Sequence, residues 1–332
     1  MHRIDLLRQH IDVAHGRGLE IGPLVSPVVT KEMGEIYYAD HATTEELREW
    51  YRPDPAIDEN AILPVDFVWG AQTLLEAVGD KAPFDYVVAS HVVEHVPDLI
   101  GWLQEISAIL RPGGRLSLCA PDRRFTFDAR RRATDLADVI EAHLLRLRRP
   151  AVRAVFDHFY RYVLPVDPQA MWRGERGHHD PPLDIKGALD MAGTAATTTK
   201  YIDTHCWVFS DASFLSLLRG IMEAGLIDLR VVSFTATRIN DIEFFIALEK
   251  PDEDARGEER IARNVASIPP MAARSNRPQD EAEADRDTRV RQLAASIAEL
   301  ERALAVVEGS SSWRLTAPLR RFRNAIPWLR KR

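Results

Sequence analysis

The feature that most constrains the fold is an alternation of short apolar runs with helical segments between Gly18 and Gly114. Such alternation is typical of strands joined by right-handed helical crossovers. We therefore predict an α/β sandwich built on a mainly parallel sheet, with helices covering its faces. The predicted strands are residues 18–21, 36–39, 84–89, 115–119, 228–235 and 242–249, and the two clearest helices are residues 97–110 and 210–224.

Composition places the chain among ordinary globular proteins. Of its 332 residues, 45% are hydrophobic and 28% are charged, enough apolar material for one large core or two modest ones. The two cysteines, Cys119 and Cys206, lie far apart without CxxC spacing, which argues against a disulfide framework and a cysteine zinc site. The first residues lack the apolar run of a signal peptide, and no stretch has the length of a membrane span. We expect a cytoplasmic protein.

The chain divides into four parts. Residues 1–250 carry the α/β pattern, interrupted at about 123–200 by helical and loop-like sequence that we interpret as a lid beside the active site. Residues 251–287 are charged and rich in Pro, Ala and Arg, which predicts a flexible linker. Apolar residues at alternating spacings of three and four predict a short coiled coil over 288–309, or an amphipathic helix docked on its own body. A basic amphipathic tail follows at 310–332.

Several acids follow predicted strands. The first strand contains Glu20 and runs into a turn at Gly22-Pro23, which departs from GxGxxG and so counts against a dinucleotide pyrophosphate cradle. Asp40 ends the second strand, where a carboxylate can accept hydrogen bonds from ribose hydroxyls. Asp66-Phe67 sets an acid beside an aromatic ring, which suits an adenine.

These segments, together with FDYVVASHVVEHV at 84–96 and LRPGG at 110–114, resemble in order and spacing the successive motifs of class I S-adenosylmethionine (SAM)-dependent methyltransferases. The resemblance covers about residues 18–122, with weaker support to 250. It implies a Rossmann-like SAM methyltransferase sandwich with a lid insertion, and SAM as cofactor. Glu20, Gly22 and Pro23 would flank the methionine part of SAM. The full set of implied cofactor-binding residues is Glu20, Gly22, Pro23, Asp40, Asp66, Phe67 and Ser90.

The string HVVEH at 91–95 matches the HxxEH motif of inverted zinc peptidases. That motif requires a long helix, whereas here the string directly follows a predicted buried strand and Pro97 comes two residues after His95. The segment also resembles the ExxEH version found in terminal-ribose methyltransferases of small RNAs and in ubiquinone-pathway O-methyltransferases. That resemblance implies a metal site, with a histidine from the YIDTHCWVF stretch at 201–209 as a further ligand. The implied ligands are His91, Glu94, His95 and His205.

Two interpretations of this segment remain open. Imidazole-rich ligation favours a divalent transition ion such as zinc, manganese or iron, which would bind an acceptor hydroxyl and lower its pKa. Alternatively, Glu94 and His95 only pack the start of a helix, and His91 or His205 is the catalytic general base.

The tail indicates the acceptor. Residues 313–332 carry seven Lys or Arg and no acid. Because the whole chain has a net charge of −7, the residues before this segment carry −14, and we expect no nucleic-acid partner. The sequence SSSWRLTAPLR at 310–320 resembles the ending of bacterial glycosyltransferases and other cell-surface polysaccharide enzymes. It implies an O-methyltransferase acting on a sugar hydroxyl of a glycan or sugar nucleotide.

The sequence allows several interaction partners for this chain. The coiled coil would support a homo-oligomer or a glycosyltransferase partner, and the basic, tryptophan-containing tail would make peripheral contact with the inner face of the membrane. The alternatives are a methyltransferase for a small metabolite or a nucleic-acid terminus, and a SAM-fold assembly module without catalysis.

Overall fold

The structure is a computed structural model that describes residues 2–70, 72–175, 183–252 and 257–270. In this part of the chain seven strands form one sheet of order β3-β2-β1-β4-β5-β7-β6. Strands β1 to β5 pair in parallel, and β7 runs antiparallel to both β5 and β6. The strands are β1 (Arg17–Ile21), β2 (Glu35–Asp40), β3 (Phe67–Val68), β4 (Phe84–Ser90), β5 (Leu110–Pro121), β6 (Arg230–Thr235) and β7 (Glu243–Glu249). The predicted α/β sandwich is confirmed.

Helices cover both faces of the sheet, and this explains why the central strands are apolar almost throughout. The main core lies between one face and helices that include α4 and α9, while α1 packs on the other face through Leu6 and Leu7. The helices are α1 (Arg3–Arg8), α2 (Thr44–Tyr51), α3 (Leu74–Val78), α4 (Leu99–Ile109), α5 (Leu136–Leu144), α6 (Val152–Arg161), α7 (Pro168–Trp172), α8 (Ile185–Thr197), α9 (Asp211–Glu223) and α10 (Gly257–Ala266). No helix among these described residues is long and apolar enough to cross a bilayer.

The strand order changes direction at β1, since β2 lies on one side of it and β4 on the other. In open parallel sheets this is where ligands bind, in the crevice at the carboxyl ends of the strands. The turns after β1, β2 and β4 therefore meet at one edge of the sheet. The residues of the predicted lid form helices α5 to α8, and α6 packs on α8.

The linker prediction for 251–287 is wrong over α10. This helix packs against α9 and β6, and Arg260 Nη1 lies 2.5 Å from Asp228 Oδ2. Ile268, which lies two residues after the helix, is only 5% exposed. A few apolar residues at helical spacing, surrounded by charges, are enough to bury one face of a short helix. The compact unit accordingly includes this helix. The predicted coiled coil (288–309) and basic tail (310–332) lie outside the described residues and stay predictions.

Candidate functional site

The turn after β1 needs glycine. Gly22 adopts φ +65°, in the left-handed region that side chains disfavour, and a Cβ there would meet Val92 Cγ2 at 3.3 Å. The Gly22 N–H donates to the carbonyl oxygen of Ala39 at 2.9 Å, tying the turn to the end of β2. The predicted Gly22-Pro23 turn therefore lies among the ends of β1, β2 and the loop after β4.

Glu20 anchors the loop that follows this turn. Its side chain is buried, and the carboxylate accepts the backbone N–H groups of Val28 at 2.7 Å and Val29 at 3.0 Å. Burial raises the pKa of Glu20 to about 7, against the opposing effect of those two hydrogen bonds. Glu20 thus shapes the loop beside the candidate cofactor site, and its contact with methionine stays a prediction.

Asp40 lies at the carboxyl end of β2, as predicted, and is 7% exposed. Its Oδ1 accepts the His41 backbone N–H at 2.7 Å and lies 2.6 Å from His41 Nδ1. The His41 ring is placed between Trp50, at a centroid distance of 5.3 Å, and Tyr201, at 5.2 Å. The acid is therefore held at the edge where the turn at Gly22 also lies.

Asp66 and Phe67 make structural contacts. Asp66 comes before β3, accepts the Tyr38 backbone N–H at 2.9 Å, and pairs with Lys31 Nζ at 3.0 Å. Phe67 packs its ring on Tyr37, 5.5 Å away, in the main core. The residues after β3 are Trp69 and Gly70. The assignment of Asp66 and Phe67 to adenine remains a prediction, and neither residue extends from the carboxyl end of β3.

At the end of β4, Ser90 lies beneath α1. Arg3 of α1 donates to Ser90 Oγ, and its Nε lies 2.8 Å from Glu243 Oε1 at the start of β7. Ser90 Oγ is also 3.5 Å from Cys119 Sγ. Arg3, Cys119 and Glu243 carried no signal in the sequence, because residues far apart in the chain meet here only through the pairing of β4, β5 and β7.

His91 is held between two carboxylates. It adopts φ +54°, and its Nε2 lies 2.6 Å from Glu243 Oε2 while its Nδ1 lies 3.2 Å from Glu94 Oε1. Burial would lower the pKa of His91, but its contacts with Cys119 and Glu243 and the negative charge of Glu94 raise it well above its usual value. Each ring nitrogen of His91 already faces a carboxylate, so either predicted role of His91, base or ligand, would require one of these contacts to open.

Three of the four predicted ligands do converge. The ligand atoms of Glu94, His95 and His205 all lie within 4.8 Å of one another, whereas His91 groups with Cys119 and Glu243 instead. Main-chain bonds hold this Glu94–His95–His205 cluster together, because the N–H of Cys206 donates to the Glu94 carbonyl oxygen at 2.7 Å. The loop after β4 and the stretch before α9 are thereby fastened side by side.

Each imidazole of the cluster is engaged by a carboxylate through Nδ1. His95 Nδ1 lies 2.8 Å from Asp203 Oδ1, and His205 Nδ1 lies 2.6 Å from Asp128 Oδ2. Only the Nε2 atoms are then available to an ion or a substrate proton. The sequence analysis missed both acids: Asp203 stands two residues before His205 in a stretch already singled out, but Asp128 belongs to no recognisable pattern.

Glu94 is fully buried, and neither of its carboxylate oxygens receives a hydrogen bond from the described part of the chain. Among the described residues, its ion-pair contact is the 3.2 Å approach of His91 Nδ1. A buried carboxylate with so few partners is costly unless a cation or a donor joins it. A carboxylate beside two imidazole nitrogens is a donor set that suits a divalent transition ion.

Comparison with known proteins gives one curated relative, the "Ubiquinone biosynthesis O-methyltransferase" of Caulobacter sp. (strain K31), which is 27% identical over 188 residues. The match covers 55% of this chain and spans 62% of the length of that relative. Among solved structures, the CcbJ methyltransferase of Streptomyces caelestis is 12% identical with a TM-score of 0.37, covering 75% of this chain and 97% of that one. A SAM-dependent methyltransferase structure from Methanosarcina mazei is 13% identical with a TM-score of 0.36, covering 76% and 99%.

The family comparison covers more of the chain. The family model described as "Methyltransferase domain" matches residues 5–221, which include every strand from β1 to β5 and the Glu94–His95–His205 cluster. The matched region also contains the turn at Gly22 and the acid at Asp40 that the structure brings to one edge. The chain therefore belongs to the methyltransferase domain family, and its seven-stranded sheet has a Rossmann-like fold.

Proposed function

We propose that this protein is an O-methyltransferase that transfers the methyl group of SAM to a sugar hydroxyl of a cell-surface glycan or its sugar-nucleotide precursor. We further propose that a divalent transition ion held by Glu94, His95 and His205 assists the reaction. The observation that carries the proposal is the buried Glu94, which receives no hydrogen bond in the described structure and lies beside two imidazoles at the edge where Gly22 and Asp40 also lie.

The residues of the cluster fit such an ion. Glu94 is 0% exposed, and the three ligand atoms lie within 4.8 Å of one another. Both Nδ1 atoms already have carboxylate partners, an arrangement that ion-binding histidines adopt in most metalloproteins. When bound, a zinc, manganese or iron ion would lower the pKa of an acceptor hydroxyl.

The chain's own residues have a limited task, because SAM already carries the electrophilic methyl group. The turn at Gly22 and the carboxylate of Asp40 would hold the cofactor at the ends of β1 and β2. The protein must then bring the acceptor oxygen into line with the methyl group and remove its proton. Without an ion, His205 Nε2 is the base that would take this proton, with Asp128 supporting the positive charge that forms on the ring.

Two features support oxygen as the methyl acceptor and a glycan as its carrier. The curated relative is named an O-methyltransferase. The ending SSSWRLTAPLR resembles that of surface-polysaccharide enzymes. A second candidate is a small hydroxylated metabolite, which the printed name of the relative, with its reference to ubiquinone biosynthesis, favours. The charge of −14 before the tail disfavours a nucleic acid.

A labelling experiment tests the acceptor and the ion together. The full chain would be incubated with methyl-labelled SAM and either unmethylated surface polysaccharide or a small phenol, before and after exhaustive chelation. We expect label on a sugar hydroxyl, loss of transfer on chelation, and recovery on adding Zn²⁺ or Mn²⁺. Label on the phenol alone would contradict the glycan proposal. Full activity after chelation would contradict the ion and leave His205 as the base.

We also expect Asp40→Ala to weaken SAM binding by about 1.5–3 kcal/mol, because a carboxylate loses its hydrogen bonds to the ribose. Calorimetric titration with SAM measures this directly. Asp85→Ala is a matched control, since Asp85 lies near the amino end of β4 and pairs with Arg111 away from the site. An unchanged affinity in Asp40→Ala would show that this acid does not hold the cofactor.

A further inference from the structure

We propose that Asp128 is a positioning residue that fixes the tautomer of His205, and that Asp203 does the same for His95. This inference rests on the proposed function of the Glu94–His95–His205 cluster, but it concerns two acids outside that cluster. Neither acid would touch the substrate. Each would act through the imidazole that it holds, by deciding which ring nitrogen presents a lone pair.

The contact between Asp128 and His205 is short and buried. Asp128 Oδ2 lies 2.6 Å from His205 Nδ1, and the two side chains are 2% and 8% exposed. Arg131 donates to the other carboxylate oxygen, Asp128 Oδ1, so that Oδ2 is left to accept from the histidine ring. A carboxylate engaged by an arginine accepts hydrogen bonds, so Nδ1 of His205 carries the proton and the lone pair of the ring lies on Nε2.

Arg131 holds Asp128 in place. Its Nη1 lies 2.8 Å from Asp128 Oδ1, its Nη2 donates to the His205 carbonyl oxygen at 2.9 Å, and its Nε lies 2.9 Å from Asp157 Oδ2 on α6. The guanidinium is only 2% exposed and therefore has little freedom. One arginine thus fixes both the acid and the main chain of the histidine that the acid orients. Precise support of this kind is what a reacting group requires.

The second pair, Asp203 and His95, is more exposed to solvent than the first. His95 Nδ1 lies 2.8 Å from Asp203 Oδ1, but the Asp203 side chain is 65% exposed. Water competes for an exposed carboxylate, so this contact should fix its ring less firmly. We therefore expect replacement of Asp128 to have the larger effect, with Asp203→Asn changing the same quantities by a smaller factor.

A purely structural role for Asp128 would predict different results. A buried Arg–Asp pair that only stabilises the lid would change the melting temperature when broken, but not the tautomer of His205 or its behaviour toward an ion. Asp138 offers a matched control, because it lies in the same lid and pairs with Arg132 and Arg153, and it makes none of the described contacts with His205.

The first measurement needs neither ion nor substrate. Nitrogen-15 NMR of the histidine-labelled full chain, with the His205 signals assigned by His205→Gln, reports which ring nitrogen carries the proton. We expect the Nδ1–H tautomer of His205 in the wild-type protein. An Nε2–H tautomer there would overturn the proposal, whatever the outcome of the methyl-transfer experiments.

The second measurement is titration with Zn²⁺ alone, with SAM affinity as the test of folding. We expect Asp128→Asn to bind Zn²⁺ about 10- to 100-fold more weakly than the wild type, Asp128→Glu to recover part of the loss, and Asp138→Asn to match the wild type. Wild-type Zn²⁺ affinity in a folded Asp128→Asn would overturn the proposal. If the wild type binds no Zn²⁺, the ion assignment fails, and the same variants are then compared by kcat. We expect Asp128→Asn to have a lower kcat and an unchanged KM for SAM. An unchanged kcat would overturn the proposal.

Discussion

Replacing His205 with glutamine is expected to lower the rate of methyl transfer by about 10²- to 10⁴-fold, the usual contribution of a positioned acid–base group. The expectation holds whether His205 binds an ion or takes the acceptor proton directly, because both roles use the same Nε2 lone pair. Glutamine is close to histidine in size, and His205 belongs to the Glu94–His95–His205 cluster rather than to the main core. SAM affinity should accordingly stay near that of the wild-type protein.

Single-turnover assays with saturating SAM would measure this loss, with His143→Gln as the control. His143 lies in the lid region and is also near an acid, with its Nδ1 3.2 Å from Asp98 Oδ2, but it takes no part in the cluster. Glu94→Gln then separates the two mechanisms: it should be about as damaging as His205→Gln if an ion is needed, and much milder if His205 is simply the base. A rate for His205→Gln within a few-fold of the wild type would refute both mechanisms.

Replacing Arg124 with methionine is expected to lower the free energy of unfolding by about 3–5 kcal/mol, the usual cost of breaking a buried ion pair by removing one partner. Arg124 Nη2 lies 2.5 Å from Asp122 Oδ2 and 2.7 Å from Asp211 Oδ1. The side chains of these two acids are 0% and 5% exposed, so the variant would leave two negative charges in the interior without that cation. The arginine also joins the end of β5 to the start of α9.

Urea unfolding followed by circular dichroism would give the change in free energy. Arg132→Met is the matched control, since Arg132 pairs with Asp138 but is 53% exposed, and surface pairs contribute only about 0–1 kcal/mol. Equal destabilisation of the two variants would contradict the assignment of Arg124 as the clamp between β5 and α9.

The order of apolar runs along the chain was enough to predict an α/β sheet and the positions of several of its strands. Strands β1, β4 and β7 lie within one or two residues of their predicted bounds, because strands buried on both faces must be almost continuously apolar. Strand β3, with two residues, is too short to show a pattern and was missed. Helix α10 was missed as well, because its partly buried Ile261 and Val265 and its buried Asn264 are surrounded by charges that predict a linker.

Part of the candidate site could be predicted from the sequence. Motif order alone placed Gly22 and Asp40 at one edge, since the carboxyl ends of parallel strands meet there. The resemblance indicated Glu94, His95 and His205 as neighbours, and the structure brings them together. His91 also approaches Glu94, but it groups with Cys119 and Glu243 because β7 brings Glu243 to its ring, and its role as a ligand stays a prediction.

What only the tertiary structure decided is which charges face one another across the folded chain. Asp128 and His205 are separated by 77 residues and belong to different segments, yet they meet at 2.6 Å. Secondary structure follows from periodicities that can be read along a few turns of chain, whereas a hydrogen bond between side chains depends on positions accurate to a few tenths of an ångström. That accuracy comes from the packing of the whole unit around the sheet, and so the acids that orient the two histidines could not be recognised before the fold was known.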